Sequence, residues 1–239
     1  MKPLENKKSP VKTWACITVV LLYFLGYALF GGDILTALTH LLHGDYTTFF
    51  YLQVIYYAFL TLLSVLLLRG VFAESAENHR GNGKKYFFLA LKYLGRMYLS
   101  MIVLNVLIGI IIGQPTSANQ EGVNEAMRQF PLLMSLFAVV LGPIFEEMVF
   151  RVAIFRRLRE KNYWVATLVS SLLFGLIHVM TSLFTGNYKD VLFIVTYSVL
   201  GFWLSEAYEK SGSVFVNLGM HMCVNLVSTL VSFFSMGAL

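Results

Sequence analysis

Three short patterns place acidic, imidazole and amide groups at helical spacing inside long apolar stretches. PIFEEMVFR carries Glu146, Glu147 and Arg151, FGLIH carries Phe174 and His178, and HMCVN carries His221 and Asn225. An ionised side chain at the centre of a bilayer costs at least about 2.5–3.5 kcal/mol on insertion scales, so each such group needs a partner or a use. Glu147 and Arg151 are four residues apart and can pair along one helix face. Glu146 is turned about 100° from Glu147 and is free to face another helix. Phe174 shares a face with His178, as His221 does with Asn225. Two imidazoles, one amide and one unpaired carboxylate can therefore converge from three helices.

That set suits proton and water chemistry. A carboxylate withdrawn from bulk water can take a proton from an attacking water. His178 could hold that water, orient the carboxylate or bind a metal. His221 and Asn225 could donate hydrogen bonds to the oxyanion of a tetrahedral intermediate. Alternatively Glu146, His178, His221 and Asn225 could surround zinc or another divalent ion with a position open to water. Blander roles compete: Glu147–Arg151 as an intrahelical ion pair, Asn225 as interhelical glue, and Phe174 as packing.

The elements that must position these groups read as membrane helices. Of 239 residues, 57% are in the AVILMFWYC set and 13% are charged, with a mean hydropathy of +0.69. Soluble domains carry about 25% charged residues, and the shortfall is that of a surface facing lipid. Crossing the hydrocarbon takes roughly 20 helical residues. Seven stretches qualify, near Trp14–Phe30, Phe49–Leu68, Tyr93–Gly113, Pro131–Phe155, Tyr163–Phe184, Val191–Tyr208 and Val214–Met236. The fold class expected is all-α, a polytopic transmembrane bundle of about seven spans. The apolar stretch after the basic start exceeds a signal h-region of about 7–15 residues and lacks an A-x-A-like site, so it is expected to remain as the first span.

With the N-terminus cytoplasmic, all of the eighteen Lys and Arg except Arg128 and Lys189 fall on the cytoplasmic side or its adjoining helix ends, as the positive-inside rule requires. The net charge of +5 is thereby read as topogenic, with the lipid bilayer as partner and no nucleic acid. Cys16 and Cys223 lie in apolar stretches and offer no disulfide framework. The segments 69–85 and 114–129 are polar and expected to be mobile loops. Residues 86–98 look amphipathic through Lys92 and Arg96 and suit an interfacial helix running into the third span. His40, His43 and His79 are expected in solvated loops, and Arg156, Arg157, Arg159 and Lys161 in a loop facing lipid headgroups. Counting helical rise from residues 159–162 places His178 roughly 10 Å deeper from the cytoplasm than Glu146 or His221.

At its three patterns the chain resembles the CAAX-type prenyl endopeptidases and their bacterial relatives, the CPBP or Abi family. The match is E-E-x-x-x-R at Glu146, Glu147 and Arg151, F-x-x-x-H at Phe174 and His178, and H-x-x-x-N at His221 and Asn225. It covers roughly Pro131 to Phe233. The resemblance implies a basic cytoplasmic segment over 1–13, supporting spans over 14–130 and a catalytic membrane core over 131–239. It implies that Glu146 is the general base acting on a water held with His178. His221 and Asn225 would stabilise the oxyanion or help bind zinc, and Glu147 and Arg151 would support the site.

The implied substrate is a membrane-associated peptide or protein, cut near the cytoplasmic leaflet of the cell membrane. Bacteriocin or pheromone processing, bacteriocin immunity and non-catalytic scaffolding are the roles it brings. The alternative to an endopeptidase is therefore an immunity or scaffold protein of the same family. A small transporter is disfavoured, because its polar sites normally belong to repeat-related halves and those here occupy one half.

Overall fold

The computed structural model describes residue 4 and residues 8–237, so Lys2 and Lys7 of the basic terminus lie outside the described residues. The described chain is a helical bundle without strands. Its helices are α1 (Thr13–Leu29), α2 (Gly31–Leu41), α3 (Tyr46–Leu67), α4 (Gly70–His79), α5 (Gly83–Ile112), α6 (Ala118–Gln129), α7 (Pro131–Arg159), α8 (Tyr163–Thr185), α9 (Asp190–Ser211) and α10 (Val214–Ser235). Six of them, α3, α5, α7, α8, α9 and α10, are each long and apolar enough to cross a membrane. The remaining expected span, Trp14–Phe30, corresponds to α1, which continues after a 60° bend into α2; counted as one, the bent pair makes seven crossings. The chain is a multi-pass membrane protein.

The bend in the first span has a local cause. Residues Leu22–Leu29 wind as a π-helix, and the backbone turns at Phe30 before Gly31. A Cβ at Gly31 would lie 2.9 Å from the Gly26 carbonyl oxygen, so the close return of the chain needs glycine there. Tyr56 of α3 donates to that same carbonyl at 2.8 Å, supplying a donor where regular helix bonding is lost.

Two segments expected to be loops are helices. In α4, Val71, Ser75 and Asn78 recur at helical spacing and are buried. Ser75 Oγ accepts from the Val214 amide at the start of α10, and Asn78 donates to the Gly212 carbonyl. These side chains satisfy helix-end groups that otherwise have no intrahelical partner. In α6, the Ser117 hydroxyl caps the Gln120 amide at 3.2 Å. The S-x-x-Q pattern in the sequence is a capping signal hidden by the segment's polarity. Residues 86–98 run without a break into the third span, as the first half of the thirty-residue α5.

The basic run 156–161 is also corrected. Arg156 is buried, forming two hydrogen bonds to Glu74 at 2.6 and 3.1 Å and one to Tyr208 at 3.3 Å. Arg159 forms two more to Glu209 at 2.9 and 2.7 Å. Arg157 donates to the Val11 carbonyl. These forked carboxylate contacts tie α4, α7 and α9 together at one end of the bundle. His43 is exposed outside the helices as expected. His40 is exposed but lies in the last turn of α2 rather than in a loop, and His79 ends α4, half-buried, stacked on Tyr86 at 4.3 Å and near Ser213 Oγ.

A candidate active site on the floor of a membrane cavity

α7 supplies the acids. It enters at Pro131, passes through π-helical turns over Phe137–Leu141 and Glu147–Phe155, and is buried on all sides from Glu147 to Phe155. The first π turn has a direct consequence for the site. Gly142 donates its N–H to the Phe137 carbonyl, so it is lost to Ala138 as an α-helical partner. Pro143 follows and has no N–H to give. The Ala138 carbonyl is met instead by Asn225 Nδ2 of α10 at 2.8 Å. Asn225 thus spends one N–H on α7 and keeps a second one at the cavity wall.

α8 carries His178 and is drawn against α9 by small residues. A Cβ at Gly175 would fall 2.2 Å from Ser198 Oγ and 2.7 Å from the Ile194 carbonyl oxygen. At that separation His178 stacks on Tyr197 of α9, ring centroids 4.3 Å apart and 22° between planes. His178 Nδ1 lies 2.8 Å from the Phe174 carbonyl oxygen. That oxygen can only accept, so Nδ1 carries a proton and Nε2 of the neutral ring is left as an acceptor. Phe174, one turn before His178, is in edge contact with His221 at 5.7 Å. His178 lies one turn of α8 beyond Phe174, the residue through which that helix meets His221.

The closest-knit group is Glu146, Glu147 and His221. His221 Nδ1 is 2.9 Å from Glu147 Oε1, and its Nε2 is 3.5 Å from Glu146 Oε2. An ionised Glu147 only accepts, so it holds the His221 proton on Nδ1 and turns Nε2 toward Glu146. Glu147 Oε2 also accepts from Asn217 Nδ2 at 3.1 Å and lies 3.5 Å from Arg151 Nε. The Arg151 guanidinium in turn donates to the Gly201 carbonyl at 3.3 Å and sits over the Phe174 ring at 4.7 Å. Glu147 and Arg151 are fully enclosed, whereas the Glu146 side chain keeps 14% exposure. The supporting pair expected from the sequence is present, and it also binds a histidine.

Glu146, His178, His221 and Asn225 all line one cavity of about 490 Å³, with Tyr27 and Tyr57 nearby on its wall. That volume is within the ~300–1,000 Å³ usual for ligand sites. Among the described residues, no group of three or more His, Cys, Asp or Glu is gathered closely enough to hold a metal ion. Glu146 Oε2 and His221 Nε2 are a close pair of metal-donor atoms, but Asn225 is partly committed to Ala138 and no third acid or imidazole among the described residues joins them in such a group. As arranged, the four residues do not form a metal shell.

Two contributors were missed at the sequence level. Asn217 precedes His221 by four residues, so Asn217, His221 and Asn225 share one face of α10. That N-x-x-x-H-x-x-x-N spacing was the available signal. Tyr197 gave none, being one aromatic among thirteen tyrosines. Asn217→Ala removes the donor from Glu147 and also the 2.7 Å bond to the Leu204 carbonyl. Each buried acceptor left unmet costs about 1–3 kcal/mol. The expected outcome is a lower melting temperature in detergent, with Asn217→Asp faring worse because it sets a second carboxylate against Glu147. Equal melting of Asn217→Ala and the unaltered chain would remove this supporting role.

The profile of the type II CAAX prenyl endopeptidase Rce1-like family matches residues 128–227, a stretch that includes all seven motif residues. Among curated proteins, the chain is 34% identical over 136 residues to the membrane-embedded CAAX protease MroQ of Staphylococcus aureus (strain USA300). That match covers 54% of this chain and 51% of the relative. It is 30% identical over 110 residues to the putative membrane peptidase YdiL of Bacillus subtilis (strain 168), covering 46% and 41%. It is 30% identical over 145 residues to the UPF0177 protein YxdF of Lactococcus lactis subsp. lactis (strain IL1403), covering 60% and 71%. The chain thus spans about half the length of MroQ and YdiL and more of YxdF. No solved structure matches. The three motifs in order, the membrane helices that carry them and these relatives agree: the chain belongs to the CPBP family of CAAX-protease-like membrane proteins.

Proposed function

We propose that the chain is an intramembrane endopeptidase that hydrolyses a peptide bond of a membrane-associated peptide or protein. The observation that carries this reading is the Glu147–His221–Glu146 arrangement at a cavity wall shared with the free acceptor nitrogen of His178. A water donating one hydrogen to Glu146 and the other to His178 Nε2 has a lone pair left for a carbonyl carbon. As the new C–O bond forms, Glu146 takes the proton. The second N–H of Asn225 is the donor placed to meet the oxyanion, and His221 joins it through Nε2 when its ring carries both protons. Collapse breaks the C–N bond, and the proton held by Glu146 passes to the departing amine. Glu147 is the positioning group, holding the His221 ring, while Arg151 balances the charge of Glu147.

No step is routed through a metal. Zinc or another divalent ion held by Glu146, His178, His221 and Asn225 is the competing form of the same proposal, and it requires His178 and Asn225 to draw in toward the Glu146–His221 pair. The test is cleavage of diacyl-anchored, fluorescence-quenched peptides by the purified chain in detergent micelles, with and without a strong chelator. Turnover that survives chelation supports the glutamate route; turnover lost on chelation and restored by zinc replaces it with the metal route. Absence of turnover across a broad peptide set, with cellular phenotype unchanged in Glu146→Ala and His178→Ala, favours an immunity or scaffold protein.

A further inference from the structure

The cavity has a direction. It draws on the first residues of α3 (Tyr46, Phe50), the first of α7 (Met134, Ala138) and the last part of α10 (Ser228, Thr229). α6 adds a wall through residues such as Gly122 and Val123, and α8 and α9 contribute Thr181 and Tyr197. Every one of these positions belongs to the same end of the bundle. None of the arginines and carboxylates at the other end lines it.

That other end is closed. Below Glu146 and His221 lie the enclosed Glu147, Arg151 and Asn217. Beyond them come the Arg156–Glu74 and Arg159–Glu209 pairs and the contact of Ser9 with Glu160. The closed end also carries the described basic residues other than Arg128 and Lys189. By the positive-inside rule it faces the cytoplasm.

α6 roofs the open end through neutral hydrogen bonds and one carboxylate. Ser117 and Asn119 meet the Tyr197 hydroxyl at 2.7 and 3.3 Å, Gln120 meets Ser228 at 3.2 Å, and the Ala118 amide donates to Asp190 at 2.8 Å. Polar groups of this kind suit a face in contact with water.

We infer that the site is entered from the extracytoplasmic face, and that its substrates are membrane-held peptides whose scissile segment has already crossed the bilayer. This rests on the protease reading for the reaction and on the cavity for the side. It reverses the cytoplasmic-leaflet cleavage expected from the sequence. The class of reaction that must supply such a substrate is translocation or membrane insertion of a precursor peptide. The chain then acts after export, on what remains anchored.

Two glycines with open space around them serve as reporters: Gly122 on α6 at the mouth, and Gly83 at the start of α5 at the basic end. Gly122→Cys and Gly83→Cys are made in the full chain with Cys16→Ala and Cys223→Ala. An impermeant maleimide should label Gly122→Cys in intact spheroplasts and Gly83→Cys only after permeabilisation. The reverse pattern, or protection of Gly122→Cys until permeabilisation, overturns the inference. Right-side-out vesicles should cleave an added diacyl-anchored quenched peptide and lose this with Glu146→Gln. Cleavage confined to inside-out vesicles also overturns it. Outward labelling with cleavage in neither vesicle type removes the protease reading and the substrate assignment with it, leaving the direction of the cavity established by the label.

Discussion

Glu146→Gln should cut peptide turnover by about 10²–10⁴-fold, the range associated with a positioned general base, and leave the fold in place. The second half of that expectation follows from where Glu146 sits. Its recorded polar contact is the 3.5 Å approach to His221, and its side chain keeps some exposure to the cavity. The buried bonds that join α7 to α10 belong instead to Glu147 and Asn225. Glutamine has the same shape, so the cavity wall is preserved while the proton acceptor is lost. The checks are initial rates on the quenched peptide and a melting curve of the same preparation. A rate within a few-fold of the unaltered chain would end the role assigned to Glu146. A rate loss accompanied by a collapsed melting temperature would instead place Glu146 among the structural residues.

Much of the site was legible because the cost of polar groups in hydrocarbon makes them conspicuous. Glu146, His178, His221 and Asn225 stood out in apolar stretches, and all four reach one cavity. What spacing did not disclose was who partners whom. A four-residue interval pairs Glu147 with Arg151, and the pair is there at 3.5 Å. The stronger contact of Glu147 is with His221, seventy-four residues away, and no local pattern encodes it. The hydrogen bond from Asn225 to Ala138 depends on a π turn before Pro143, a winding change that regular helical counting cannot register.

The fold shows the same division. The long apolar helices were readable from length and hydropathy, and six of the seven expected stretches match a helix to within four residues at each end, whereas α5 begins ten residues before its expected start and α2 was not foreseen. α4 and α6 were not, because their helical character comes from tertiary bonds and capping rather than from a hydrophobic stripe. Arg156 and Arg159 were misread for a related reason. A run of basic residues beside a span ordinarily marks a solvated loop, and here Glu74 and Glu209 draw two of its members inward.

Glu147→Leu and Arg151→Met, made separately, should each destabilise the chain by roughly 3–5 kcal/mol, the usual cost of leaving one member of a buried ion pair without the other. Without Glu147, the Arg151 guanidinium retains the Gly201 carbonyl and the Phe174 ring, and His221 loses the acceptor that orients it. Without Arg151, the Glu147 carboxylate keeps only His221 and Asn217, both of which are neutral donors unless the histidine is protonated. The double variant removes both buried charges. Apolar replacements of similar size are often neutral or stabilising when both partners go, so it should recover most of the lost melting temperature. It should not recover turnover, because the His221 ring is still without its carboxylate. Thermal melting and peptide cleavage on all four forms separate the two effects. Recovery of both in the double variant would make Glu147 and Arg151 a structural pair with no part in positioning His221. Recovery of neither would mean that the leucine and methionine replacements cannot be packed there. Glu147→Gln, which keeps the shape and one acceptor, then carries the test: near-normal melting with turnover lost is the outcome that sustains the positioning role.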